Sequence, residues 1–314
     1  GWAHLSVGNR TEASVDAHAL ASIALTLPLG PERVRLTRRA GSTLHRSGQR
    51  IGAVEYYARA ALDAEQAGLD AERIPLLVNL GVLHAEFEEH VRAETSFTQA
   101  LQLMERLGDL RHEAAVRFNF GLMLSGLRRY QDASVHLRRA LQLAQEQGVS
   151  SQQQVAIQVG LAKVLLLQGD NAQGAVLAKA IFANEKQERG GVQHWNTVGL
   201  RALYEGMQGR YAAALAALDS YPGQTLNGMQ RVGWLEHRAE LLEKVGRPLD
   251  ALDMLRQAGA LREEHLRQLN HERLAALDAH MRNREQQLEL ERLQMQAARL
   301  DSERVQERKQ QRAM

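Results

Sequence analysis

The chain of 314 residues has a formal net charge of +2 and contains no cysteine. Disulfides, thiolate zinc sites and cysteine nucleophiles are therefore excluded, and so small a net charge gives no support for a nucleic-acid partner. No apolar run reaches the roughly 18–20 residues of a membrane span, so we expect no membrane partner, and the absence of cysteine is typical of a cytoplasmic protein. Only five prolines are present, while Ala, Leu, Gln, Glu and Arg abound, which predicts an all-α fold.

Glycines recur with a period of 40 residues over the first part of the chain. They are Gly1, Gly41, Gly81 and Gly121. An alanine stands twelve residues after each glycine, at Ala13, Ala53, Ala93 and Ala133. In the last three units a large apolar residue and a further alanine follow, as Tyr57 with Ala60, Phe97 with Ala100, and Leu137 with Ala140. A fixed period of this length is the signature of stacked helical repeats.

Residues 74–103 show how one unit predicts two helices. Core-type residues at helical spacing mark the first helix, at Leu77, Leu80, Gly81 and His84. A polar turn at 87–91 separates it from a second helix, marked by Ala93, Phe97 and Ala100. An isolated glycine costs a helix about 1 kcal/mol relative to alanine, so its recurrence at one phase indicates close packing against a bulky partner. His84 falls on the core-facing side, where we expect a buried, hydrogen-bonded histidine rather than a ligand.

The order of small and large residues in these units resembles the tetratricopeptide repeat, and residues 34–63 and 114–143 show the same order. The spacing of 40, against roughly 34 in that family, indicates a variant with longer helices or linkers. Weaker units follow at 155–181, 202–218 and 235–258. The resemblance implies a tetratricopeptide-like α-solenoid of about six helix pairs over residues 1–258.

The first residues keep the phase of the repeat. Gly1 stands where the packing glycine of a first helix belongs, and Ala13, Ala17 and Leu20 then supply a second helix. We therefore expect the chain to begin inside a repeat, with part of its first helix missing.

Residues 259–314 form a second region, which has no glycine or proline from 261 onward and is dense in Glu, Arg, Gln and Leu. Its apolar residues recur mainly in steps of three, four and seven, in one run at Leu266, Leu269, Leu274, Leu277, Met281 and Leu288 and a second at Leu290, Leu293, Ala297 and Leu300. This pattern predicts one long helix that forms a parallel homodimeric coiled coil, with a phase slip near 288–290; a solvated single helix is the alternative. No capping residue ends the pattern, so we expect the helix to lead into a further segment.

Catalytic motifs are missing from the sequence. Walker, Rossmann, His-Glu-x-x-His and Gly-x-Ser-x-Gly patterns do not occur, and Glu89-His90 and His112-Glu113 are isolated pairs. We therefore expect no catalytic residue, no metal and no cofactor within this chain.

A repeat array that leads into a charged coil is similar to the sensory halves of bacterial signalling proteins. In those proteins the coil connects to an output domain, such as a GGDEF diguanylate cyclase or a histidine kinase. The resemblance implies a non-catalytic sensory and dimerisation region. A scaffold without switching and a peptide-pheromone receptor like the tetratricopeptide quorum regulators stay open as alternatives.

The resemblance also implies a ligand groove, because positions two, five, six, nine and thirteen of each first helix point inward in that family. Asn79 and Asn119 occupy the sixth position of adjacent units, where an asparagine binds the backbone of the ligand in peptide-binding members of that family. Arginines occupy inward positions of the unit before, at Arg35, Arg38, Arg39 and Arg46. Acidic residues occupy them near the other end, at Glu236, Glu240 and Glu243. We expect a peptide or protein ligand whose acidic part lies near the arginines.

Overall fold

The fold was analysed in a computed structural model. The structure describes residues 7–108, 110, 112–184, 192–226 and 228–271, together with 274, 292, 295 and 296. Within these ranges the chain is helical apart from short turns, and no described residue lies in a strand. The all-α prediction is therefore confirmed. The chain divides into two compact units, Gly1–His265 and Leu266–Met314.

The first unit contains twelve α-helices within its described residues, followed by a further helical stretch at 248–271 that continues into the second unit. The helices are α1 Val7–Thr26, α2 Pro31–Arg46, α3 Arg50–Gln66, α4 Asp70–Glu86, α5 His90–Leu107, α6 Glu113–Gly126, α7 Tyr130–Glu146, α8 Ser151–Leu167, α9 Asn171–Ala183, α10 Val192–Met207, α11 Tyr211–Asp219 and α12 Gly228–Lys244. A short 3-10 turn at Gly223–Thr225 precedes α12.

The helices pack as six consecutive pairs. Helices α2 and α3, α4 and α5, α6 and α7, α8 and α9, and α10 and α11 pack against each other, and α1 packs on α2. Helix α12 forms the sixth pair with the stretch from 248, since Val232 and Leu235 share a buried cluster with Ala258. The first helix of each pair also contacts the first helix of the next pair, so that α2, α4, α6, α8 and α10 contact one another in sequence. This arrangement is a tetratricopeptide-like solenoid, as predicted.

The 40-residue glycine period has a steric cause. A methyl group added at Gly41 would lie 2.9 Å from Cδ1 of Tyr57, and one added at Gly81 would lie 2.8 Å from Cε1 of Phe97. At Gly121 the same methyl would lie 2.7 Å from Cγ of Leu137. Each glycine therefore makes room for the large side chain on the second helix of its own pair, as the sequence predicted.

The turn inside each helix pair is a three-residue connection whose middle residue has a left-handed backbone. These middle residues are Gly48, Glu88, Arg128, Gly169, Gly209 and Gly246, with φ between 59° and 92°. The next residue then donates its N–H back to the end of the first helix, as Gln49 does to the carbonyl of Leu44 at 2.9 Å. The turn thereby satisfies carbonyl groups that a helix end would leave unpaired.

His84 occupies the last turn of α4 and is buried. Its Nδ1 lies 2.7 Å from Oε2 of Glu89, the residue that ends the turn after α4. The prediction of a buried, hydrogen-bonded histidine is confirmed.

Few residues of the expected coil belong to the described part of the second unit. Leu269 is buried, whereas Leu266 and Leu274 are exposed. The other core positions lie outside the described residues, at Leu277, Met281, Leu288, Leu293 and Leu300. The coiled coil, the homodimer and the division at 258 therefore stay predictions. Among the described ranges, no helix combines the length and the apolar character needed to cross a bilayer.

Candidate functional site

The candidate site is the surface on which the first helices of successive pairs meet, here called the inner surface. Gly160 of α8 lies against α6, because a methyl group added there would be 3.4 Å from Cε2 of Phe118 and from Cδ2 of Leu122. Gly199 of α10 lies against α8, since a methyl there would be 3.2 Å from Nζ of Lys163. The inner surface is thus continuous across α6, α8 and α10.

Asn79 and Asn119 lie near the middle of α4 and α6, two residues before the packing glycines of these helices. Both side chains are half-buried. Neither carboxamide has a hydrogen-bond partner among the residues that the structure describes. A carboxamide carries both a donor and an acceptor, which a peptide group requires. The structure therefore leaves both asparagines available in the same register of adjacent pairs.

The four predicted arginines lie on α2. Arg35 forms an ion pair with Glu32, and Arg46 donates to the carbonyl of Ser42 at 3.4 Å. Burial raises the pKa of the Tyr57 hydroxyl, while its hydrogen bond with Ser42 and the nearby charges of Arg38 and Arg46 oppose that rise.

Arg39 is exposed, and neither it nor Arg38 has an acidic partner in the described part of the chain. The predicted basic end therefore depends mainly on Arg38, Arg39 and Arg46, since Glu32 offsets the charge of Arg35.

The predicted acidic end lies on α12. Glu236 forms an ion pair with Arg262, which comes from the following helix. Glu240 and Glu243 are exposed, and the charge of Glu240 acts on His237. The ion pair removes most of the free charge from Glu236, so the acidic character of this end rests on Glu240 and Glu243.

Sequence reasoning missed Lys163, which the structure places on the inner surface in the C-terminal half of α8. A signal was present, since Lys163 is the one charged residue in the apolar run from 159 to 167. The pattern alone does not reveal whether such a lysine reaches solvent or a buried partner. No cluster of metal-binding side chains occurs among the residues described.

A second candidate is the cleft between the second helices α5 and α7. His136 lines it, 4.3 Å from the ring of Phe120, and burial lowers the pKa of its imidazole. Most of the other charged residues there pair with each other, as Arg117 does with Glu113 and Arg129 with Glu94 at 2.8 Å, and the two remaining ones, Glu105 and Arg139, have opposite charges. Because these charges neutralise one another, the cleft favours no particular ligand.

Comparison with known proteins supports the fold. Residues 72–146 match the family model of the tetratricopeptide repeat. The apo form of RapI is similar in structure, with a TM-score of 0.63 at 14% identity over 80% of this chain and 90% of that chain. A tetratricopeptide repeat protein from Parabacteroides merdae gives 0.58 at 15% identity, over 84% and 98% of the two chains.

The apo quorum sensor NprR from B. thuringiensis is also similar, with a TM-score of 0.59 at 12% identity over 81% of this chain and 75% of that chain. No curated protein matches this sequence. At these identities the likeness concerns the fold, which is that of a tetratricopeptide-like helical solenoid.

Proposed function

We propose that this chain is a non-catalytic binding array that holds a peptide or an extended protein segment on its inner surface. The observation that carries the proposal is the pair of unpartnered carboxamides, Asn79 and Asn119, in the same register of adjacent first helices. Each can donate to a peptide carbonyl and accept from a peptide N–H.

The spacing of the two asparagines suits an extended ligand. Packed helices lie about 8–10 Å apart, and an extended chain advances about 3.3 Å per residue. Asn79 and Asn119 would therefore grip backbone groups about three residues apart. A grip on the backbone binds segments of different sequence, so side-chain selectivity comes from the rest of the inner surface.

The charges at the two ends favour one orientation of the ligand. Arg38, Arg39 and Arg46 suit an acidic part, because guanidinium groups bind carboxylates through paired hydrogen bonds. Glu240 and Glu243 suit a basic part at the other end. A segment with charges of opposite sign at its two ends matches this pattern.

In the wider protein, the array would act as the sensory and dimerisation region of a bacterial signalling protein in the cytoplasm. The expected coil at 259–314 would then join the array to an output domain such as a diguanylate cyclase. This part of the proposal rests on the heptad-like sequence pattern of that region. Light scattering on the full chain and on a chain ending at residue 260 tests it, since only the full chain should dimerise.

A second candidate function is that of a peptide-responsive regulator. Two of the similar structures favour it: the quorum sensor NprR, and a Rap protein complexed with competence and sporulation factor, which has a TM-score of 0.57 at 13% identity over 80% of each chain. A scaffold that binds a partner without switching would use the same inner surface. A ligand-dependent change in the oligomeric state would favour a regulator over a scaffold.

The binding proposal is tested with a displayed library of random peptides. Peptides selected on the wild-type protein are synthesised, and their affinities are measured by calorimetry for wild type and for Asn79→Ala/Asn119→Ala. We expect at least a tenfold loss for the double variant, because each lost hydrogen bond contributes about 1 kcal/mol. Asn171→Ala, at an exposed position on α9, is the matched control. Equal affinity of the double variant and wild type would contradict the role of these asparagines.

A further inference from the structure

The side chain of Lys163 crosses from α8 to α10. Its Nζ would lie 3.2 Å, and its Cε 3.8 Å, from a methyl group at Gly199. The amine therefore rests on the backbone of α10 at a point where that helix carries no side chain. His237 of α12 is close enough for the charge of Lys163 to contribute to the lowered pKa of its imidazole, for which burial is the main cause.

The ammonium of Lys163 has no partner of opposite charge. In the described part of the chain it forms neither an ion pair nor a hydrogen bond. Its side chain is partly exposed, yet protein surrounds the amine so closely that burial lowers its pKa to about 8. A group that is reached by water but enclosed by protein lies on the floor of a concave surface.

An unpaired and partly desolvated cation destabilises a fold, because it loses hydration without gaining a counter-charge. A methionine would fill the same volume without that cost. Burial and the charge of Lys163 both lower the pKa of His237, while Glu240 opposes this, so the imidazole stays neutral and Lys163 is the cation that lacks a partner. The arrangement is unfavourable in the free protein, and a bound anion would offset that cost.

Apolar residues of α6 and α10 lie near Lys163. Toward α6, Phe118 and Leu122 lie against Gly160, one turn before Lys163. On α10, Leu203 follows Gly199 by one turn and packs, half-buried, against a cluster that includes Val159 and Ala162. An anion that reaches the amine must therefore be carried by a ligand with apolar groups beside it.

We propose that Lys163 binds the carboxylate of an Asp or Glu side chain in the ligand, and that apolar residues of the ligand flank this carboxylate. The inference rests on the proposed function, because the same extended segment would bind Asn79 and Asn119. Helix α8 is the next first helix after α6, so the acidic residue would lie about three residues from the one held by Asn119.

The test uses the full chain and random peptides displayed with a fused C-terminus, so that carboxylates come from side chains alone. A second library with free C-termini is selected in parallel. Selected peptides are synthesised with the acidic residue and with Gln in its place, and are titrated against wild type, Lys163→Met and Lys163→Arg. Lys179→Met, at an exposed position on α9, is the matched control.

We expect selected peptides to carry an Asp or Glu between apolar residues. Lys163→Met should bind the acidic peptide at least tenfold more weakly than wild type does, and wild type should bind the Gln peptide at least tenfold more weakly than the acidic one, because a hydrogen bond to a charged group is stronger than a neutral one. The two changes together should cause no further loss, since both remove the same interaction. Lys163→Arg should retain most of the affinity, and Lys179→Met all of it. The melting temperature of Lys163→Met should rise, whereas removal of a lysine with a purely structural role would lower it.

Three results would overturn the inference. Selected peptides that lack an acidic side chain, or that bind Lys163→Met as tightly as wild type, would contradict the carboxylate subsite and leave the proposed peptide-binding function standing. If Lys163-dependent binding is found only in the library with free C-termini, Lys163 binds the C-terminal carboxylate of a peptide and not an acidic side chain. The absence of any selected peptide would remove the proposed function and this subsite together.

Discussion

The first three helix pairs and the last three reach the same architecture with different placement of glycine. From α2 to α7, glycine occupies the helix interior, where Gly41, Gly81 and Gly121 each face a large side chain. From α8 onward, no glycine keeps this phase, and glycine forms every turn within a pair, at Gly169, Gly209 and Gly246, whereas in the first three pairs it forms one of the three turns, at Gly48. The comparison shows that the 40-residue phase is one packing solution and that helix pairing does not depend on it.

The largest expected effect in this comparison is at Phe97, which is fully buried. Phe97→Ala should lower the free energy of unfolding by about 3–5 kcal/mol, because it leaves a cavity under α4. Gly81→Ala places a methyl group in that cavity, so the double variant should lose less than the sum of the single losses. Urea denaturation of the four proteins measures the coupling, and strict additivity would contradict the direct contact of Gly81 with Phe97.

The second prediction concerns the later pairs, where a charge rather than an aromatic ring crosses between helices. Lys163→Met should raise the free energy of unfolding at pH 7, by at most about 3 kcal/mol for a pKa near 8 against an unfolded value near 10.5. Since the unfolded chain binds more protons between these values, wild-type stability should increase from pH 8 to 10.5 and approach that of the variant.

Thermal unfolding of both proteins from pH 7 to 10.5 checks this prediction. Lys179→Met should show no such dependence on pH. A constant difference between wild type and Lys163→Met over this range would show that the amine is not desolvated.

A third prediction compares the same substitution in the two halves. Gly81→Ala should lower the free energy of unfolding by about 1–3 kcal/mol, since its methyl group overlaps the ring of Phe97. Gly160→Ala should be neutral or raise it by up to about 1 kcal/mol, because its nearest neighbours are at 3.4 Å and alanine is the better helix former. Chemical denaturation measures the free energy of unfolding of both variants. Equal losses of stability would contradict the expected difference in glycine packing between the first three pairs and the last three.

The smallest effect is expected in the turns. Glu88 and Arg128 adopt φ of 59°, where the later pairs have glycine. Glu88→Gly and Arg128→Gly should each raise the free energy of unfolding by up to about 1 kcal/mol, because glycine adopts a left-handed backbone without steric cost. Gly169→Ala, the reverse change, should lower it by a similar amount. Shifts in melting temperature measure the set, and a loss of stability in both glycine variants would contradict this account.

Much of the fold could be predicted because its cause is local and repeated. The interval from Gly81 to Phe97 fixes which side chains meet inside a pair. The loss of the apolar pattern predicted a turn at 87–91, which the structure narrows to 87–89, because His90 and Val91 already belong to α5. The register of Asn79 and Asn119 could also be predicted, since equivalent positions of adjacent repeats share a face. Their lack of partners required the structure.

The later part of the inner surface could not be predicted in the same way. Glu236 is neutralised by Arg262, 26 residues further along the chain, so no local pattern reveals the pair. Lys163 rests on Gly199 and acts on His237, which brings three first helices to one place. The distances of Lys163 from Gly199 and His237 depend on how α8, α10 and α12 pack against one another.

The sequence by itself determined the all-helical architecture, the pairing of helices and the packing role of the periodic glycines, because helix periodicity and steric fit act within about 40 residues. Only the tertiary structure decided which charges are neutralised and which stay free on the inner surface. The physical reason is that desolvation and Coulomb interactions depend on everything packed around a group. Lys163 shows this most clearly, as one lysine in an apolar run that the fold encloses without a partner.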